Sequence, residues 1–138
     1  MSAAGYSGTP LPKKLGIKPG HRVLLDSAPD GFERDLLVPL PDDVTVQRRA
    51  GRTTYDVVVA FRPDAATYRK HLARDIARTT TNGSLWIAWP KRASGVVTDL
   101  TEDVVRREAL AAGVGDVKVC AVDTTWSGLK LVRRLADR

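Results

Sequence analysis

A single cysteine, Cys120, excludes any internal disulfide. With only two histidines, His21 and His71, far apart along the chain, it also leaves no spacing typical of a zinc site. Cys120 falls inside a valine-rich strand pattern, where a thiol acts as a small apolar residue rather than a nucleophile. No apolar run approaches the ~18 residues that span a bilayer. Residues 1–8 have neither a basic start nor an apolar core, so no secretory signal is expected and the cytoplasm is the expected location. Also missing is any long basic run. Lys and Arg outnumber Asp and Glu by 22 to 16, a net charge of +6, but the charges are spread along the chain and aromatics make up only 6%. That balance admits phosphate-bearing partners yet weighs against a dedicated nucleic-acid binder. The simpler reading is that Arg48, Arg49, Arg52, Arg62, Arg69, Arg74 and Arg78 solvate the surface.

What is present is a globular composition, 43% apolar and 28% charged over 138 residues, enough for one domain with a sizeable core. Residues 1–19 read as an irregular lead-in with one short helical turn, Leu11 and Leu15 facing inward. His21–Ser27 is the first strand, its Val23-Leu24-Leu25 run suited to burial on both faces. Asp30 can cap a helix over Phe32–Leu37 that Pro39 and Pro41 end. Val44–Arg48 alternates and is an edge strand, whose open side offers a route to a homodimer. Tyr55–Phe61 is a continuous buried strand. Asp64 caps a helix to about Thr79, with Ala65, Tyr68, Leu72 and Ile76 as its core stripe and Arg69, Lys70, Arg74 and Arg78 turned to water. Asn82-Gly83 is a turn into a strand over Leu85–Trp89. Asp99 or Thr101 caps a helix over Glu102–Ala112 that Gly113 and Gly115 stop. Asp116–Asp123 and Leu129–Arg134 are joined by only five residues, too few for a parallel crossover, so they form an antiparallel hairpin. The order predicts an open, doubly wound, mostly parallel α/β sheet closed by a C-terminal hairpin, as a single domain.

The Asp56-Val57-Val58 strand, the Gly83-Ser84-Leu85-Trp86-Ile87 strand, the terminal hairpin and the lead-in Leu15–Val23 together resemble the class I S-adenosylmethionine-dependent methyltransferases, less one helix-strand-helix unit between Arg48 and Tyr55. The resemblance implies a Rossmann-like fold over nearly the whole chain. It implies a cofactor only where a Gly-x-Gly loop follows the first strand and an acid ends the second. Here those places hold Ser27-Ala28-Pro29-Asp30-Gly31 and Gln47-Arg48-Arg49, so no cofactor-contacting residue carries over. The blocks Gly5–Leu11, Trp89–Gly95, Asp99–Glu102, Lys118–Asp123 and Trp126–Val132 are further similar to a small actinobacterial family known only as a domain of unknown function, which implies the same scaffold and no activity.

In such a sheet, ligands sit beyond the carboxyl ends of the parallel strands. Segments 26–31, 61–64, 89–95 and 126–128 should converge there. Lys91 and Arg92 can hold an anion, with the Ser94 hydroxyl and the Gly95 amide adding hydrogen bonds. Trp89 and Trp126 can wall a planar ligand, although a tryptophan at a strand end commonly closes a core. Asp26 is either an acid or base or, the better reading, a turn cap. No catalytic triad and no metal site are expected. The reading is a non-catalytic scaffold that binds a small anionic ligand or a protein partner. Its rivals are a divergent transferase acting on an anionic substrate and a basic nucleic-acid accessory protein.

Overall fold

A computed structural model describes residues 8–137 of the chain. The part of the expected lead-in over residues 1–7, with the start of the first block quoted above, lies outside the described residues. The elements are α1 (Leu11–Lys14), β1 (Arg22–Asp26), α2 (Phe32–Leu36), β2 (Thr45–Gln47), β3 (Tyr55–Phe61), α3 (Ala65–Ala77), β4 (Thr79–Pro90), α4 (Glu102–Ala111), β5 (Val114–Ala121) and β6 (Trp126–Arg133). The sheet order is β2-β1-β3-β4-β6-β5. β1 to β4 are parallel neighbours, and β6 runs antiparallel to both β4 and β5. The mostly parallel sheet with a closing hairpin is the architecture expected.

Side-chain alternation splits the core into two layers, as a sheet covered on both faces requires. Leu24, Val58, Leu85, Ile87, Trp89, Leu129 and Leu131 face α3 and α4, against Tyr68, Leu72, Val105 and Ala109. Val23, Leu25, Val57, Val59, Trp86 and Ala88 face α1 and α2, against Leu11, Leu15, Phe32 and Leu37. Leu11 and Leu15 are buried as expected, and the Leu15 carbonyl accepts from the indole N–H of fully buried Trp86 at 3.1 Å. At the helix starts, Asp64 accepts from the Thr67 amide at 2.8 Å and Thr101 from Val104 at 3.3 Å, so Thr101 rather than Asp99 caps α4. Asp99 instead accepts from the Ala65 amide at 2.9 Å, tying the start of α3 to the loop before α4.

Three local expectations fail for identifiable reasons. Asp30 makes no cap: Gly31 occupies that position in the left-handed region at φ 77°, and its geometry, not a side chain, starts α2. Trp126 begins β6 instead of lying in the hairpin loop, because its amide and that of Thr125 both bond the Asp123 carboxylate, which tightens the turn. Asn82-Gly83 is not a turn. β4 runs unbroken through it, with a register irregularity against β3 between Tyr55 and Val57. Glycine is required there because a Cβ on residue 83 would lie 2.6 Å from the Asp56 carbonyl oxygen.

G83A should therefore destabilise the domain by about 1–3 kcal/mol, the usual cost of overpacking. The check is a denaturant titration, in which the midpoint falls while the slope is unchanged.

Candidate functional site

The strand order reverses between β1 and β3, and the crevice above their carboxyl ends is where an open α/β sheet takes a ligand. Here an ion cluster spans it. Arg62, the residue after β3, is 1% exposed and reaches Asp75 of α3 at 2.6 Å and Asp26, the last residue of β1, at 3.2 Å. Arg74 and Arg78 approach the same Asp26 oxygen at 3.2 and 3.5 Å. The two carboxyls that share Arg62 shift in opposite directions. Burial raises Asp26, but Arg62, Ser27 and Arg74 outweigh it and hold it below the ordinary value. Burial dominates at Asp75, which is 0% exposed, and pushes its carboxyl up against the pull of Arg62. Asp26 is thus neither a free acid or base nor a turn cap: it anchors three guanidinium groups.

This cluster is what the sequence reading missed. Arg62, Arg74 and Arg78 were expected in water. The signal was Asp75, which follows Leu72 by three residues on the core-facing side of α3, where a carboxylate must have a cation.

The loop after β4 is a single 3-10 turn, Arg92–Ser94, closed by Gly95 at φ 80°. Its polar groups are partly engaged within the turn. The Ser94 hydroxyl donates to the Lys91 carbonyl at 2.7 Å and accepts from the Val96 amide at 3.2 Å. The Gly95 amide bonds the Arg92 carbonyl, and the Lys91 amide bonds Thr125 at 2.8 Å. Neither Ser94 nor the Gly95 amide is therefore available in the way expected. Arg92 is exposed, and it lines a cleft of about 390 Å³ with Trp89, Gly95, Val97, Leu100 and Glu102. Three of the seven expected residues, Trp89, Arg92 and Gly95, meet in this cleft. Lys91 and Ser94 sit beside it in the same turn, and Asp26 lies in the ion cluster.

Trp89 and Trp126 do not form one wall. Trp89 packs in the layer under α3 and α4, and Trp126 in the layer on the other face of the sheet. Trp126 stacks edge-on against Phe61, which meets Phe32 in the same way, all centroids 5.1 Å apart. The row closes the second core layer at the carboxyl end of the sheet.

The residues do not fit S-adenosylmethionine bound in the familiar manner. Ser27 carries the positive φ (62°) where a glycine would let the backbone approach a cofactor, and Pro29 follows. The end of β2, where an acid would hold the ribose, carries Arg48. Its guanidinium donates to the Ala28 and Pro29 carbonyls at 2.8 and 2.7 Å and to both Glu33 oxygens at 2.8 and 2.7 Å. The first loop is laced shut by this side chain. Arg48 draws the Glu33 carboxyl down to about 2.

Elsewhere, Cys120 is half-buried, and burial raises its thiol above the ordinary value. Among the described residues no group of three His, Cys, Asp or Glu side chains can hold a metal ion, and no helix is long and apolar enough to cross a membrane.

Two outcomes follow from the charges. R62M strands a buried carboxylate and should lose about 3–5 kcal/mol at neutral pH, recovered largely by R62M/D75L. Chemical denaturation of the two variants checks it. Glu33 has a depressed carboxyl in the folded state, so its pairing stabilises fully above about 4.5 and is lost as pH falls toward about 2. The gap in melting midpoint between the wild type and E33Q should shrink across that window.

No family model matches the chain, and neither does any curated protein. Solved structures do. An S-adenosylmethionine-dependent methyltransferase from Aquifex aeolicus superposes with a TM-score of 0.56 at 16% identity, over 86% of this chain and 85% of that one. The fibrillarin pre-rRNA processing protein of Methanococcus jannaschii gives 0.60 at 10% identity, over 91% and 69%. TrmN from Thermus thermophilus gives 0.58 at 14%, over 90% of this chain but only 47% of that one. At these identities the likeness is one of fold, and the fold is that of the methyltransferase-like Rossmann sheets.

Proposed function

We propose that this chain is a non-catalytic, methyltransferase-like Rossmann scaffold that binds a small anionic ligand at the loop after β4. The observation that carries the reading is Arg48: it bridges the first loop and α2, which supports a side chain of the protein filling the place that a methyl donor would take. The Arg62–Asp26 pair across the β1–β3 crevice supports it from the other side. What remains open is the cleft of about 390 Å³ between the β4 loop and the start of α4. Arg92 supplies the charge there, with Lys91 beside it. The half-exposed Val96 and the fully exposed Val97 offer an apolar surface beside the buried Trp89 and Leu100, so the ligand combines an anionic head with an apolar body. We infer also that the protein works in the cytoplasm as a member of the actinobacterial family whose blocks it resembles.

A thermal-shift screen with S-adenosylmethionine, nucleotides and acyl-coenzyme A tests the reading. An anionic ligand should stabilise the wild type, by about 2.7 kcal/mol at a hundredfold excess over Kd, and R92A should lose most of that gain. S-adenosylmethionine should give no shift. Stabilisation by S-adenosylmethionine, or a ligand response that R92A leaves intact, would overturn it.

A further inference from the structure

At the opposite, amino-terminal end of the parallel strands lies a second recess, of about 300 Å³, whose polar lining is Lys18, His21, Asp56, Asn82, Ser84 and Lys130. It forms where the turn after α1 crosses the sheet: a Cβ on Gly16 would sit 3.9 Å from the Lys130 ammonium nitrogen. Lys130 is directly opposite Lys118 in the β5–β6 ladder, so the two side chains leave the same face of the sheet side by side. Like charges placed opposite each other destabilise an antiparallel pair.

No ion pair compensates them. Among the described residues, no carboxylate lies within ion-pair distance of Lys18, Lys118 or Lys130. The Asp56 carboxylate in the lining makes no ion pair with them, and one of its oxygens accepts from the Arg22 amide at 2.8 Å. His21 accepts from the Lys18 amide at its Nδ1, 3.1 Å away, which leaves Nε2 as the donor. Burial foremost, then Lys118 and Lys18, push the Lys130 ammonium below its ordinary value. A sheet that keeps a repulsive pair, half-covers one member and surrounds it with further donors breaks a local stability rule without a gain inside the fold.

We propose that this recess binds a phosphate group, held by Lys18, Lys118 and Lys130 with Asn82, Ser84 and the His21 Nε2–H as hydrogen-bond donors. It is independent of the Arg92 cleft and stands whether or not that cleft binds anything. The volume admits a phosphate or diphosphate with a small organic remainder.

The test is calorimetric titration with pyrophosphate, adenosine 5′-diphosphate and a single-stranded RNA oligonucleotide, at low and physiological salt. Pyrophosphate, which lacks the apolar body expected of a ligand for the Arg92 cleft, should bind at least tenfold more weakly to K130Q and undetectably to K118Q/K130Q. Tighter binding of the diphosphate than of the oligonucleotide identifies a small-molecule source, and the reverse order a nucleic acid. Without ligand, K118Q should melt about 1–3 °C higher than the wild type, because the repulsion is gone. Folded K118Q/K130Q that binds pyrophosphate like the wild type would overturn the proposal. So would failure of all three probes to bind the wild type.

Discussion

The buried guanidinium of Arg62 is the interaction on which the carboxyl end of this sheet depends. Its charge has been carried out of water, and the desolvation is offset only because Asp75 and Asp26 face it. Asp26 belongs to β1, Arg62 follows β3, and Asp75 sits on α3, so one pair of contacts fixes two strands and a crossover helix to each other. Arg74 and Arg78 extend the cluster toward solvent through the same Asp26 oxygen. A doubly wound sheet leaves a crevice at this point because its helices diverge to opposite faces. In this chain the crevice is filled by charge that the fold itself needs.

That arrangement decides how the scaffold can be used. A cofactor seated over β1 and β3 would have to displace the Arg62 cluster on one side and the Arg48 lacing on the other. Each guanidinium makes several charge-assisted bonds that a neutral sugar or an adenine would not replace. The loop after β4 carries no such internal ties to its charged group. The Arg92 side chain faces solvent, while the backbone beneath it is held by the turn and by Thr125.

Strand identity, helix faces and the closing hairpin were legible because they follow from periodicity and connection length, which are local. Tyr55–Phe61 reads as a buried strand from its own residues, and the five-residue link before Leu129 forces the hairpin. Gly83 was not legible. Its need for a missing Cβ arises from the Asp56 carbonyl of another strand, a contact no window of sequence contains. The same holds for the site. Lys91 and Arg92 could be placed at the ligand end from topology alone, whereas the hydroxyl of Ser94 was lost to a turn bond two or three residues away. Trp89 and Trp126 lay at the expected end of adjacent strands, yet strand alternation put them on opposite faces. That parity was hidden until the true start of β6 was known.

The net charge of +6 looks uniform in sequence, but the two basic residue types divide it. Arginine is the cation in the ion pairs that lace the fold, from Arg34–Asp35 to Arg106–Asp116. The planar fork of arginine matches a carboxylate and keeps its charge when buried, which suits it to lacing a fold. Lysine is a compact, strongly hydrated charge, and Lys18, Lys118 and Lys130 carry theirs without a carboxylate. Much arginine charge is therefore held by carboxylates, while the lysine charge at the amino end of the sheet is not. An excess of positive charge distributed in this way does not make a general polyanion surface. It leaves an end laced mainly by arginine and an end of unpaired lysine, and a compact anion held by several donors would suit the second better than an extended strand of phosphates.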